Sequence, residues 1–101
     1  MYTVFKGSSE KLKDWKESPS FLGMKEVQDI TGLFALERRV CDNGYLVAEI
    51  EHDKFSDVFI GKIYKPGSHK CLKDIFCNTF QACKFKVDLH LKEMGYSFSW
   101  N

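Results

Sequence analysis

Between Gly32 and Pro66 the hydrophobic positions fall in three short runs that are typical of β-strands. The runs 34–40 and 45–51 are separated by a segment that ends in Asn43-Gly44, the dipeptide that most strongly indicates a β-hairpin. The run 58–64 predicts a third strand, and Pro66-Gly67 after it favours a type II turn. Further on, Ile75 and Phe76 either add a short strand or anchor the connection in the core.

Residues 78–100 carry two hydrophobic periodicities at once. At 100° per residue, one stripe of a helix that begins after Asn78 or Thr79 and ends before Gly95 would contain five apolar side chains: Phe80, Cys83, Val87, Leu91 and Met94. A second stripe, formed by Ala82, Phe85 and Leu89, lies nearly opposite. Residues 83–91 also alternate with a period of two, which predicts a strand that turns at 93–95 and returns through Tyr96 to Trp100. The capping residues favour the helix, whereas periodicity leaves both alternatives open.

Short helices are expected before the sheet. Ser8 or Ser9 precedes the charged segment 10–17, which has a narrow apolar edge of Leu12 and Trp15 and ends at Ser18-Pro19. The segment 21–30 suits a second short helix, a strand or irregular structure. The predicted fold is α+β: a single domain over residues 1–101, with an antiparallel sheet of four or five strands, one long helix packed on a face and one or two short N-terminal helices. We expect the first of these helices to cover the second stripe, which would otherwise be an interaction site.

Composition limits the class of protein. The 101 residues are 44% hydrophobic, which is enough for a core without disulfides or a metal ion. No leader and no run long enough to span a bilayer is seen, so we expect a soluble cytoplasmic protein. The four cysteines lie among apolar neighbours and are typical of reduced thiols. His69, Cys71 and Cys77 lack the C-x-x-C spacing of a structural zinc site, and no cofactor is expected.

The second strand of the hairpin and the segment after it contain an acidic cluster. Glu49, Glu51 and Asp53 alternate along the chain and would project from one face, with Asp57 close behind. Clustered carboxylates can hold a divalent metal, contact a basic partner or simply form a solvated face. No second acidic cluster complements this one. The solvated face and the protein contact are therefore favoured over metal chemistry.

The chain after Val58 contains the basic residues and aromatic rings of a candidate nucleic-acid surface. The candidates for this surface are Lys62, Tyr64, Lys65, Lys70, Lys73, Lys84 and Lys86. Lysines neutralise phosphates, and aromatic rings stack on unpaired bases. The net charge of +1, the absence of arginine from the set and the lack of a nucleic-acid-binding motif weigh against this function.

No catalytic motif stands out. A nucleophilic cysteine would need a base, and no local pattern joins one to His52, His69 or His90. Ser8-Ser9 is interpreted as a helix cap. We therefore expect a non-enzymatic protein.

The order of elements from residue 33 to 100 resembles that of a group of small proteins. A hairpin and a third strand are followed by T-F-Q-A-C-K, which begins a helix, and by L-K-E-M-G-Y, which ends it before a last strand. This strand-strand-strand-helix-strand pattern is similar to that of small phage and mobile-element proteins, among them HicB-type antitoxins and some anti-CRISPR proteins. The expected helical N-terminus departs from the antitoxin pattern. The resemblance implies a stand-alone protein that binds and blocks another macromolecule.

Three functions follow as hypotheses. The first is an inhibitor or modulator of a host or cognate complex that docks through Ala82, Phe85 and Leu89 or through the acidic segment 49–57. The second is a nucleic-acid-binding module that uses the lysine-rich surface. The third is a subunit that self-associates, for instance as a homodimer, through the Ala82 stripe or a sheet edge.

Overall fold

The architecture is α+β, as predicted, and is taken from a computed structural model that describes residues 11–19, 30–68 and 70–98. The elements in chain order are β1 (Lys11–Leu12), β2 (Lys16–Glu17), β3 (Leu33–Val40), β4 (Leu46–Asp53), β5 (Val58–Tyr64), β6 (Cys71–Cys77), α1 (Phe80–Glu93) and β7 (Ser97–Phe98). Strands β2 to β6 form a five-stranded antiparallel sheet in the order β2-β3-β4-β5-β6, and β1 pairs with β7 in parallel. The helix packs on one face of the large sheet, over β4, β5 and β6.

The two predicted turns form where the sequence places them. In the β3–β4 hairpin the Gly44 N–H donates to the Cys41 carbonyl at 2.8 Å, and Gly44 has a φ of 91° that a residue with a side chain rarely adopts. In the β5–β6 turn the Ser68 N–H donates to the Lys65 carbonyl at 3.0 Å. Gly67 has a φ of 78°, as position i+2 of a type II turn requires. The third strand has the predicted bounds, and β6 is a full seven-residue strand.

The stretch with two periodicities is a helix, so the alternative strand over residues 83–91 is wrong. Thr79 caps the helix, because its side-chain oxygen accepts a hydrogen bond from the Ala82 N–H at 3.1 Å. At the other end Gly95 has a φ of 98°, as expected for the residue after the C-cap. The capping residues therefore decided between two structures that periodicity alone could not separate.

The core lies between α1 and the sheet. Cys83, Val87 and Leu91 are buried, and Phe80 and Met94 pack against the same core, which confirms the predicted first stripe. The sheet contributes several buried aliphatic side chains, which include Ile50, Ile63 and Ile75. At Gly61 a Cβ atom would lie 2.4 Å from Val87 Cγ2. The helix approaches the sheet closely because this position has no side chain.

The predicted helix over residues 10–17 is wrong for the part that is described. Lys11–Leu12 and Lys16–Glu17 are short strands, which pair with β7 and β3 respectively. Leu12 is fully buried in the core, and the Trp15 indole donates to Asp88 of α1. Leu12 and Trp15 thus make separate tertiary contacts, and their spacing does not mark one face of a helix. Residues 1–10, which include the predicted cap Ser8 or Ser9, and residues 20–29, which include most of the second predicted helix, lie outside the described residues.

The last strand is shorter than predicted and has a different partner. Only Ser97–Phe98 is assigned as strand, and it pairs with β1 through Lys11↔Ser97 and Leu12↔Phe98. It is therefore not a member of the five-stranded sheet. Residues 99–101, which include the predicted end at Trp100, lie outside the described residues.

Candidate protein-binding face

The second stripe of α1 is exposed and forms what we call the outer face: Ala82, Phe85 and Leu89. Phe85 is 64% exposed and Leu89 is 45% exposed, although both are large apolar side chains. The prediction that an N-terminal helix covers this stripe is wrong, because Leu12 is in the core. The outer face is therefore an apolar surface on a helix whose opposite side is already fully used by the core.

A shallow groove of about 210 Å³ runs along the outer face. Phe85 and Leu89 form its apolar side, Asp88 and Lys92 contribute polar atoms, and Phe98 of β7 forms a wall. A groove of this composition can accept an apolar side chain from a partner and place polar groups around it.

Buried contacts hold Asp88 and Phe98, on this side of α1, in place. The Asp88 carboxylate accepts hydrogen bonds from Arg39 Nε at 2.8 Å and Arg39 Nη2 at 3.2 Å, and from the Trp15 indole at 3.2 Å. The Arg39 guanidinium lies 4.4 Å from the centre of the Phe98 ring and 5.2 Å from a Trp15 ring centre. Its Nη1 also donates to the Lys13 carbonyl at 2.6 Å. This network joins the β1–β2 connection, β3, β7 and α1, so these groove residues are fixed by the fold.

The border of the outer face is positively charged. Lys86 and Lys92 are exposed, and neither forms an ion pair with another residue in the ranges 11–19, 30–68 and 70–98. Asp88 is already paired with Arg39. Glu93 lies 3.9 Å from His90. The two unpaired lysines favour a partner that brings carboxylates to the edge of an apolar contact.

Lys84 lies on a different side of α1. Its ammonium group is 2.8 Å from the Glu37 carboxylate and 4.7 Å from the centre of the Phe80 ring. It is thus part of the contact between α1 and β3 and is not available at the border of the outer face.

The acidic candidates are bound within the fold. Glu49 is buried and accepts hydrogen bonds from Ser18 Oγ at 2.9 Å and Arg38 Nη2 at 3.2 Å. Glu51 lies 3.6 Å from the Lys62 ammonium group, and its Oε1 atom has no hydrogen-bond partner. Both project from the sheet face opposite α1, as the alternation predicted. Glu49 is however buried, not part of a solvated face.

The other two carboxylates stabilise the β4–β5 connection. Asp53 accepts from the Phe55 N–H at 2.9 Å and from the Ser56 N–H at 3.3 Å, and the Phe55 bond holds the pKa of Asp53 below its usual value. Asp57, which has a φ of 57°, lies 2.9 Å from His52 Nε2. The four acidic side chains thus have local partners and do not converge on one point.

The basic candidates are divided between the two faces of the sheet. Because Gly61 faces α1, the next residue, Lys62, projects from the opposite face, whereas Lys84 and Lys86 lie on the helix itself. Tyr64 is half-buried, and burial, followed by the nearby Glu49 carboxylate, raises its pKa to about 12. The remaining candidates, Lys65, Lys70 and Lys73, are exposed around the β5–β6 turn and on β6. The seven residues do not make one continuous basic surface.

The chemistry of the cysteines and of possible metal ligands is limited. Within the described part of the chain, no three His, Cys, Asp or Glu residues are grouped so that they could hold a metal ion. None of the four cysteines forms a disulfide, and Cys71 is the exposed one. Burial raises the pKa of the Cys83 thiol to about 12, with a further contribution from Cys77. Among the described helices, none is long and apolar enough to cross a membrane.

Comparisons of the chain with protein-family models, curated proteins and solved structures found no match. The likeness to phage and mobile-element proteins therefore stays a prediction from the order of elements.

Sequence reasoning found the outer face but not the groove beside it. Ala82, Phe85 and Leu89 were visible as a helical stripe. The wall at Phe98 and the role of Asp88 were not, because they depend on contacts with Arg39 and Trp15. The Trp15–Asp88 contact joins residues 73 positions apart.

Proposed function

We propose that this protein binds another protein through the outer face of α1 and thereby inhibits or modulates it. The observation that carries the proposal is the exposure of Phe85 and Leu89 on a helix whose other side is buried against the sheet. Large apolar side chains that stay exposed beside a preformed groove are typical of interaction sites.

The proposed partner is a protein whose surface presents one or two apolar side chains with carboxylates around them. The apolar side chains would fill the groove between Leu89 and Phe98, and the carboxylates would meet Lys86 and Lys92. A nucleic acid fits this face less well, because its phosphates would lie beside the exposed apolar side chains of Phe85 and Leu89 and would have only the two border lysines to pair with.

The biological setting is part of the proposal. The resemblance in element order supports a stand-alone inhibitor of a host or cognate complex, of the kind that phages and mobile elements encode. Four cysteines without a disulfide fit a cytoplasmic protein, since thiols stay reduced there.

The test compares three tagged proteins in affinity capture from a lysate of the cells in which the chain is made. The wild type is compared with Phe85→Asp plus Leu89→Asp and with a matched control, Tyr45→Asp plus Phe55→Asp. The control introduces the same charge at two exposed rings outside the helix, which are 52% and 68% exposed. Far-UV circular dichroism checks that all three are folded, and Phe85→Ala plus Leu89→Ala provides a variant that keeps helix propensity.

We expect the wild type and the control to capture the same protein after nuclease treatment, and both helix variants to lose it. A partner that the helix variants still retain would overturn the proposed face. A partner that nuclease removes would instead favour the nucleic-acid hypothesis and the lysine-rich surface.

A further inference from the structure

Strand β6 forms the longer of the two edges of the five-stranded sheet. Within the described residues it pairs only with β5, whereas β2, the strand at the other edge, is two residues long. An edge strand presents backbone N–H and C=O groups that another strand can pair with. The sheet therefore has one edge on which a seven-residue strand could be added.

Apolar side chains along β6 are exposed on the sheet face away from α1. Ile75 pairs with Gly61 and points toward the helix, so the alternation of the strand turns Leu72, Asp74 and Phe76 to the other face. Leu72 is 48% exposed and Phe76 is 63% exposed. Proteins usually protect long edges with charge or covering segments, but here two apolar side chains flank a single carboxylate.

Positive charge lies on the helix side of the same edge. Lys73 is exposed and points to the face that α1 covers. Since Lys84 and Asp88 make the contacts of α1 with β3, Lys86 lies toward the β6 border of the helix. Neither Lys73 nor Lys86 has an ion-pair partner in the part of the chain that the structure describes. A carboxylate on an added strand would find an open cation here.

A second copy of the chain fits this edge poorly in the two-fold registers that pair about five or more residues of β6. A two-fold pairing that sets Leu72 opposite Phe76 of the second copy also sets Asp74 opposite Asp74. Centring the pairing on Lys73 sets Lys73 opposite Lys73, and centring it on Ile75 sets Phe76 opposite Asp74. Like charges that lie directly opposite are destabilising, and an apolar side chain gains little beside a carboxylate.

We propose that β6 binds an extended segment of another protein by β-strand addition. The segment carries two apolar side chains four residues apart, opposite Leu72 and Phe76, and an acidic side chain opposite Lys73, directly next to the apolar one opposite Leu72. The backbone hydrogen bonds supply affinity, and the alternate side chains supply specificity. Apart from Lys86, which lies between the two surfaces, this site shares no residue with the outer face of α1 or its border, so the two proposals can be tested separately.

The first test is a selection of short random peptides against the folded full chain. We expect enriched peptides with two apolar residues four positions apart and an acidic residue next to one of them. Their affinity should fall about tenfold or more in Leu72→Lys plus Phe76→Lys, as for the loss of central apolar contacts. It should be unchanged in Tyr45→Lys plus Phe55→Lys, and in Phe85→Asp plus Leu89→Asp. Peptides selected against the Lys73→Glu variant should carry a basic residue where the wild type selects an acidic one.

The second test measures amide hydrogen exchange of β6 with and without a selected peptide. The bound peptide should slow the exchange of the β6 N–H groups that point away from β5. Failure to enrich any peptide would overturn the proposal, as would peptides whose binding depends on Phe85 and Leu89. A dimer in sedimentation that Leu72→Lys plus Phe76→Lys dissociates would instead make a second copy the occupant and would also overturn it.

Discussion

Replacing Gly61 by alanine tests how closely α1 packs on the sheet. The added Cβ would lie 2.4 Å from Val87 Cγ2, 3.1 Å from Cys83 Sγ and 3.5 Å from Ile50 Cδ1. Carbon atoms in contact are normally about 3.5–4.0 Å apart, so the helix must move by roughly 1 Å or Val87 must leave its rotamer. Valine in a helix has one strongly preferred rotamer, which makes the second route costly.

The expected loss of stability follows from these distances. Overpacking a core costs about 1–3 kcal/mol, and we expect the upper half of that range at Gly61 because the nearest atom is a branched side chain on a packed helix. Alanine also restricts the unfolded chain more than glycine does, which offsets this loss of stability by about 0.4–1 kcal/mol. The net effect of Gly61→Ala should therefore be a decrease of about 1–2.5 kcal/mol in the free energy of unfolding, measured by chemical denaturation.

A double-mutant cycle with Val87 identifies the cause. Val87→Ala alone removes two buried methyl groups and should cost about 2 kcal/mol. Combined with Gly61→Ala, it leaves space for the new Cβ, so the double variant should be more stable than the sum predicts by about 1 kcal/mol or more. Leu89→Ala, on the outer face of the same helix, is the matched control and should add to Gly61→Ala without coupling. Additive effects of Gly61→Ala and Val87→Ala, or an increase in stability from Gly61→Ala, would refute the close packing.

Three further predictions concern the groove, the helix cap and the sheet. Asp88→Asn should lower the free energy of unfolding by about 2–3 kcal/mol, less than for a fully buried pair because the Asp88 side chain is 26% exposed. Asp88→Leu with Arg39→Met should restore only part of the loss, because the Trp15 indole and the Lys13 carbonyl lose their partners. Thr79→Ala should cost about 1 kcal/mol by denaturation and Thr79→Ser much less, and equal losses would contradict the cap. Tyr64 has a pKa raised to about 12, so the fold favours its neutral phenol and loses stability as pH rises from about 10 toward 12. Absorbance titration should show a late-titrating phenol that Tyr64→Phe removes.

The parts of the fold that could be predicted are those with local signals. The Asn43-Gly44 hairpin, the turn at Gly67 and the helix after Thr79 each depend on residues close together in sequence. The two periodicities of 83–91 were ambiguous, and the capping residue and Gly95 favoured the correct one.

The parts that could not be predicted depend on partners far apart in sequence. Leu12 pairs with Phe98 of β7, and it also forms a bridge with Cys41. A two-residue strand has no periodicity of its own. The charged segment around Leu12 and Trp15 therefore shows only a narrow apolar edge, which favours a helix. The burial of Glu49 was missed for the same reason, since its partners Ser18 and Arg38 come from other strands or loops.

The most direct test of the central proposal is site-specific photo-cross-linking in the cells in which the chain is made. A benzophenone amino acid replaces Phe85 in one protein and Phe55, an exposed phenylalanine outside the helix, in a control. We expect position 85 to cross-link to the protein that affinity capture identifies, and position 55 to give no such product. Cross-linking of that protein from position 55 but not from position 85 would contradict binding through the outer face of α1.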